Sequence, residues 1–183
     1  MSKIGIFMAD GCEEIEGLTV VDIVRRAKME IVMISVTGKK EVTSSHGVTF
    51  LADVLAEETG YEDLDGIVLP GGMPGTTNLK EDENVRKAVQ EAYDDGRYVA
   101  AICAAPTILA DMGLLKGKRA TCYPDMESEI EDAYLTGAPV ATDENIITSQ
   151  GVGTAIDFAL KLIEVLISEE KAVEIADSIV YQR

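Results

Sequence analysis

Two hydrophobic periods alternate along the chain. Short apolar runs recur at Ile4–Met8, Ile31–Val36, Gly66–Leu69, Tyr98–Ile102 and Ile146–Thr148. Runs of this length without alternation predict strands buried on both faces. Between most of them the apolar positions recur at helical spacing. Glu16, Val20, Ile23 and Ala27 share one stripe, apolar apart from its first member. Val85, Val89 and Ala92 make a second. Ala155, Ala159, Leu162 and Leu166 make a third, beside Ile156, Leu160, Ile163 and Ile167. Ser168, followed by Glu169 and Glu170, reads as the N-cap of a last helix that carries Ala172, Ile175, Ala176 and Ile179. Strands alternating with helices predict βαβ units and one doubly wound α/β domain over residues 1–183, its sheet mostly parallel. The segment Glu41–Asp53 departs from this rhythm. Val42-Thr43, the polar Ser44-Ser45-His46-Gly47 and then Val48–Leu51 predict a hairpin or edge strands.

Composition narrows the function classes. Among 183 residues, 16 basic side chains face 33 acidic ones, a net charge of −17. That leaves no basic footprint for nucleic acid and argues against anionic membrane surfaces. The hydrophobic share of 46% and mean hydropathy of +0.09 are those of a folded chain. No apolar run approaches the ~18 residues of a membrane span. Asp10 follows the first apolar run too closely for a signal peptide, so a cytoplasmic location is expected. Cys12, Cys103 and Cys122 are odd in number and widely spaced, which predicts reduced thiols and no disulfide framework. With no CxxC pair and one histidine, His46, a structural zinc site lacks ligands.

In doubly wound sheets ligands sit at the carboxyl ends of the strands. Four segments fall there: Ala9–Glu16, Pro70–Gly75, Cys103–Thr107 and Ser149–Thr154. Cys103 is the sharpest candidate. It lies between a strand and a helix that Pro106 can open, where the positive helix end favours a thiolate. Ala101 and Ala105 supply the small neighbours that a tight nucleophile turn requires. A buried, inert thiol fits the same position. The amides of Gly71 and Gly72 suit an anion or a developing oxyanion, and equally a turn needing positive φ. Gly151-Val152-Gly153-Thr154 lacks the third glycine of a dinucleotide fingerprint. Glu13, Glu14 and Glu16 cluster at a helix start, where acids complement the dipole. Glu16 leads an apolar stripe, where burial would raise its pKa. Glu14 leads a partly apolar one through Leu18 and Val21, so spacing leaves the choice between them open.

Gly11-Cys12-Glu13-Glu14-Ile15-Glu16, Leu69-Pro70-Gly71-Gly72 and Ala100-Ala101-Ile102-Cys103-Ala104-Ala105-Pro106 together resemble the ThiJ/PfpI family, from about Lys3 to Ile167. The resemblance implies a flavodoxin-like α/β/α sandwich and a homodimer. It implies that Cys103 is the reactive cysteine and that Glu16 is a protonated partner of its sulfur. The amides of Gly72 and Ala104 would form the oxyanion pocket. Arg26 and His46 match basic positions near the dimer interface. Tyr123 stands where the family commonly has histidine. A phenol, with an ordinary pKa of about 10, is no base near neutrality, so the Cys–His pair of many thiol hydrolases is absent. The function implied is cofactor-free processing of 2-oxoaldehydes or of glycated protein. The alternatives are a redox sensor or redox-gated chaperone working by oxidation of Cys103, and a binding module in which Cys103 is inert.

Overall fold

The computed structural model describes residues 2–182. The apolar runs become a seven-stranded sheet. Its strands in chain order are β1 (Lys3–Met8), β2 (Glu30–Ser35), β5 (Val54–Leu55), β6 (Gly66–Leu69), β7 (Tyr98–Ile102), β10 (Val140–Asp143) and β11 (Ile146–Ser149). The spatial order is β10-β11-β7-β6-β1-β2-β5, parallel except for the β10–β11 pair at one edge. β1, β6 and β7 are buried on both faces, which is why their sequences do not alternate. Two small two-stranded sheets stand apart from it: β3 (Glu41–Thr43) with β4 (Thr49–Leu51), and β8 (Arg119–Ala120) with β9 (Tyr134–Leu135).

Helices cover both faces. On one lie α1 (Glu14–Arg26), α5 (Ala155–Leu166) and α6 (Glu169–Ser178), whose buried residues form one core with Ile4, Ile6 and Met8 of β1. On the other lie α2 (Gly75–Glu81), α3 (Glu83–Asp94) and α4 (Pro106–Asp111), packed on Phe7, Ile67 and Leu69. The result is the flavodoxin-like sandwich. Ser168 caps α6 as its sequence predicts, accepting from the amide of Lys171 at 3.2 Å. The segment from Glu41 is a hairpin, with Val42 opposite Phe50. Its hydrogen bonds explain why it does not join the main sheet. Gly11 N donates to Thr43 O, Thr43 N donates to the Asp10 carboxylate and Ser45 N donates to Cys12 O, each at 2.8 Å. The hairpin therefore straps the loop that leads from β1 into α1. No described helix is long and apolar enough to cross a membrane.

Candidate active site

The carboxyl ends of β1, β6, β7 and β11 converge on a pocket of about 490 Å³. Glu13, Glu16, Gly72, Cys103, Tyr123, Pro124 and the segment 150–154 line it. Cys103 terminates β7 with φ +64°, a left-handed backbone that a non-glycine residue adopts at a cost of about 1–3 kcal/mol. Flanking hydrogen bonds hold it there: Cys103 N donates to Ser149 O at 3.0 Å, and Tyr123 N donates to Cys103 O at 2.8 Å. The turn aims the sulfur at the pocket, where the backbone amides of Ala104 and Gly72 donate to it.

Glu16 sits on the first turn of α1 and is fully buried. Its Oε2 accepts from the amide of Gly71 at 2.9 Å. Its Oε1 has no oxygen or nitrogen partner and faces the Cys103 sulfur. The approach is so close that a Cβ on Gly71 would stand 2.6 Å from Cys103 Cβ and 2.8 Å from Glu16 Oε2. On the opposite wall, a Cβ on Gly151 would lie within 3.9 Å of both Glu16 Oε1 and Cys103 Sγ. Burial pushes the Glu16 carboxyl up to about 7, against the Gly71 amide and the thiol, which lower it; the charge of Glu13 adds to the rise.

The thiol itself corrects an expectation. α4 opens at Pro106, as the sequence predicts, but the thiolate expected at that helix end is opposed by the surroundings of the sulfur. Burial, then the charge of Glu16 and its hydrogen bond, push the Cys103 thiol up to about 12, while the amides of Ala104 and Gly72 pull the other way. The two groups act as a pair. When Glu16 carries the proton, its opposing charge disappears, and burial alone then works against the thiolate while the two amides favour it.

The other candidates separate. Gly72 and Ala104 turn their amides toward the sulfur. The amide of Gly71 instead holds Glu16, so it belongs to the scaffold of the pair and not to an oxyanion pocket. Tyr123 puts its half-exposed ring on the pocket wall. Arg26 is not in this pocket. It pairs with Asp22 at 2.6 Å at the far end of α1 and borders a separate apolar groove with Leu18, Ile23, Ile156 and Ile179. His46 is also outside it, on the hairpin turn, 3.2 Å from Glu14 and 3.5 Å from Glu13. Glu13 is the residue that sequence reasoning missed. It caps α1, as a helix-start acid should, yet it is only 9% exposed and lines the pocket as well. Its position directly after the strand–loop segment was the available signal. Glu13, Glu14 and His46 are also the one group among the described residues spaced to hold a metal ion, their ligand atoms lying within 4.8 Å of one another.

A model of the DJ-1/PfpI family matches residues 2–165. The chain belongs to the DJ-1/PfpI family. It is 36% identical to Protein dj-1beta of Drosophila melanogaster over 93% of this chain and 92% of that one. It is 38% identical to Protein DJ-1 homolog B of Arabidopsis thaliana over 97% of this chain, but spans only 41% of that protein's length. A Schizosaccharomyces pombe relative, 34% identical over 93% of this chain and 94% of its own, is named a glutathione-independent glyoxalase DJ-1. The solved structure of oxidised Toxoplasma gondii DJ-1 superposes with a TM-score of 0.95 over the whole of both chains, at 35% identity. Within this DJ-1/PfpI frame, the cysteine turn, the glutamate on α1 and the glycine pair after β6 occupy the pocket just described.

Proposed function

We propose that this protein processes small 2-oxoaldehydes or their protein adducts, with Cys103 as nucleophile and Glu16 as proton shuttle. The observation that carries this reading is the buried Glu16 carboxyl, one oxygen fixed by Gly71 and the other facing the Cys103 sulfur. The sulfur adds to the aldehyde carbon of methylglyoxal, forming a carbon–sulfur bond. The thiol proton passes through Glu16 to the carbonyl oxygen, giving a hemithioacetal. The amides of Gly72 and Ala104, which face the sulfur, would stabilise charge developing on an oxygen bound beside it. Proton transfer from C1 to C2 then makes a lactoyl thioester, and water releases lactate and the thiol. No external oxidant or cofactor enters this balance. The glyoxalase name of the Schizosaccharomyces pombe relative supports the reading. Lactate formation from methylglyoxal, measured for the purified protein and for Cys103→Ser, tests it. Equal rates in the two proteins would sink it.

A second reading has its own support. A sulfur with two amides and a carboxyl around it is suited to hold sulfinate oxygens, and the Toxoplasma gondii relative is described as oxidised. Intact mass after mild peroxide tests it: a gain of two oxygens confined to Cys103 supports a redox role. The apolar groove of Leu18, Ile23, Ile156 and Ile179, with exposed Ile15 beside it, supports pairing of two chains, which light scattering measures. The three free thiols fit a reducing, cytoplasmic setting.

A further inference from the structure

Isomerising a hemithioacetal takes a base that Cys103 and Glu16 do not supply. Glu16 is fully buried, with Oε2 committed to Gly71 and Oε1 facing the sulfur, so it serves the sulfur and the oxygen formed on addition. Tyr123 presents a phenol to the lining, neither a carboxylate nor an imidazole. Gln150 is an amide, and the hydroxyl of Thr154 is tied to Ser149 at 2.7 Å. The one remaining basic side chain in the lining is Glu13. We propose that Glu13 is the catalytic residue that moves the carbon-bound proton, with His46 as its positioning residue. This rests on the aldehyde reading above.

The contacts of Glu13 suit the task. Its Oε1 accepts from the amide of Ile15 at 3.4 Å, and its Oε2 accepts from the hydroxyl of Ser45 at 3.4 Å and lies 3.5 Å from His46 Nδ1. All three sit at the long end of the hydrogen-bond range, so the carboxylate is oriented without being fully saturated. His46 is two-thirds exposed and so connects it to solvent. Glu13 takes the proton from C1 of the hemithioacetal, the C–H electron pair forms the C1–C2 double bond of the enediol, and the C1 hydroxyl proton passes to the C2 oxygen as that carbonyl opens. The proton on Glu13 exchanges with solvent through the rim, and a solvent-derived one returns to C2. The carbonyl re-forms at C1 as the thioester, with no net oxidation.

The test uses Glu13→Gln, Glu13→Asp and His46→Asn with methylglyoxal in D2O. For Glu13→Gln we expect turnover to fall by ~10²–10⁴-fold, the range for a lost acid–base group, with the hemithioacetal accumulating on Cys103 by mass. Iodoacetamide should still alkylate its Cys103 to completion by intact mass, which shows that the pocket is intact. Glu13→Asp should recover part of the loss. His46→Asn should lower kcat and leave KM unchanged, and wild-type lactate should carry deuterium at C2. Wild-type turnover in Glu13→Gln, or lactate with only protium at C2, overturns this inference and leaves the aldehyde reading standing. No turnover by the wild type overturns both.

Discussion

Glu14 and Glu16 occupy the same first turn of α1 and meet opposite surroundings. Glu16 is directed into the sheet, where burial raises its pKa to about 7. Glu14 is directed toward the hairpin, where desolvation is the largest single influence and raises it, but backbone and side-chain hydrogen bonds, His46 foremost among the side chains, together outweigh it and hold it below the usual carboxylate range. A rotation along one helical turn therefore separates a proton carrier from a fixed anion. The hairpin makes the difference possible, because it delivers His46 to the rim and leaves the floor to the sulfur.

The largest effect that sharpens this contrast is catalytic. Glu16→Gln should cut aldehyde turnover by ~10²–10⁴-fold, whereas Glu14→Gln should leave it near the wild-type rate. Equal losses, read from initial lactate rates, would mean that the two acids act as one charge cluster.

Stability should show the contrast next. Below pH 4.5 Glu16 is protonated in the folded and unfolded chain alike. As pH rises toward 7 the unfolded chain releases this proton first, so stability falls through that window. The loss is complete above it and amounts to about 3 kcal/mol. Glu16→Gln lacks this slope and should gain on the wild type between acid and neutral pH. Urea unfolding at pH 4.5 and 8 measures the gain; parallel curves for the two proteins would show that Glu16 is not desolvated.

Gly71→Ala attacks the pair through its scaffold. The new Cβ would press on Cys103 Cβ and Glu16 Oε2 at 2.6 and 2.8 Å, and overpacking of this kind costs about 1–3 kcal/mol. The melting temperature and the rate of Cys103 alkylation should change together. The smallest effect is at the rim. Hydrogen bonding and charge from Glu14 raise the His46 pKa, so Glu14→Gln should return its titration toward about 6.5. As the chain's one histidine, its NMR signals need no assignment.

Periodicity made most of the sandwich legible. The buried runs of β1, β6 and β7 and the stripes of α1, α3 and α5 are strong signals because both come from one continuous core. α2 was not legible, since Gly75-Thr76-Thr77-Asn78 has no helix-forming pattern and is held by the loop it packs against. β5, β8 and β9 are two-residue pairings set by tertiary contact. In the site, Cys103 was visible from its place between strand and proline. The stripe could not choose Glu16 over Glu14, because both positions precede apolar residues; only the packed helix orients them. Arg26 and His46 carry charges that a sequence offers as site residues, yet the chain turns them toward Asp22 and Glu14. Glu13 was hidden by being a good helix cap. The thiol's high pKa was hidden as well, because it depends on how deeply β7 ends inside the fold.

The lining of the Cys103 pocket holds two carboxyl groups and, among the described residues, no lysine, arginine or histidine. Methylglyoxal is neutral and enters such a site without electrostatic penalty. Lactate, the product of the proposed reaction, is an anion that would form beside Glu13 on a chain of net charge −17. Like charges in a partly desolvated space repel, so under the proposed aldehyde chemistry the step that ends the cycle would also drive the product out. The pocket should show little inhibition by lactate, and its release should quicken as salt is lowered.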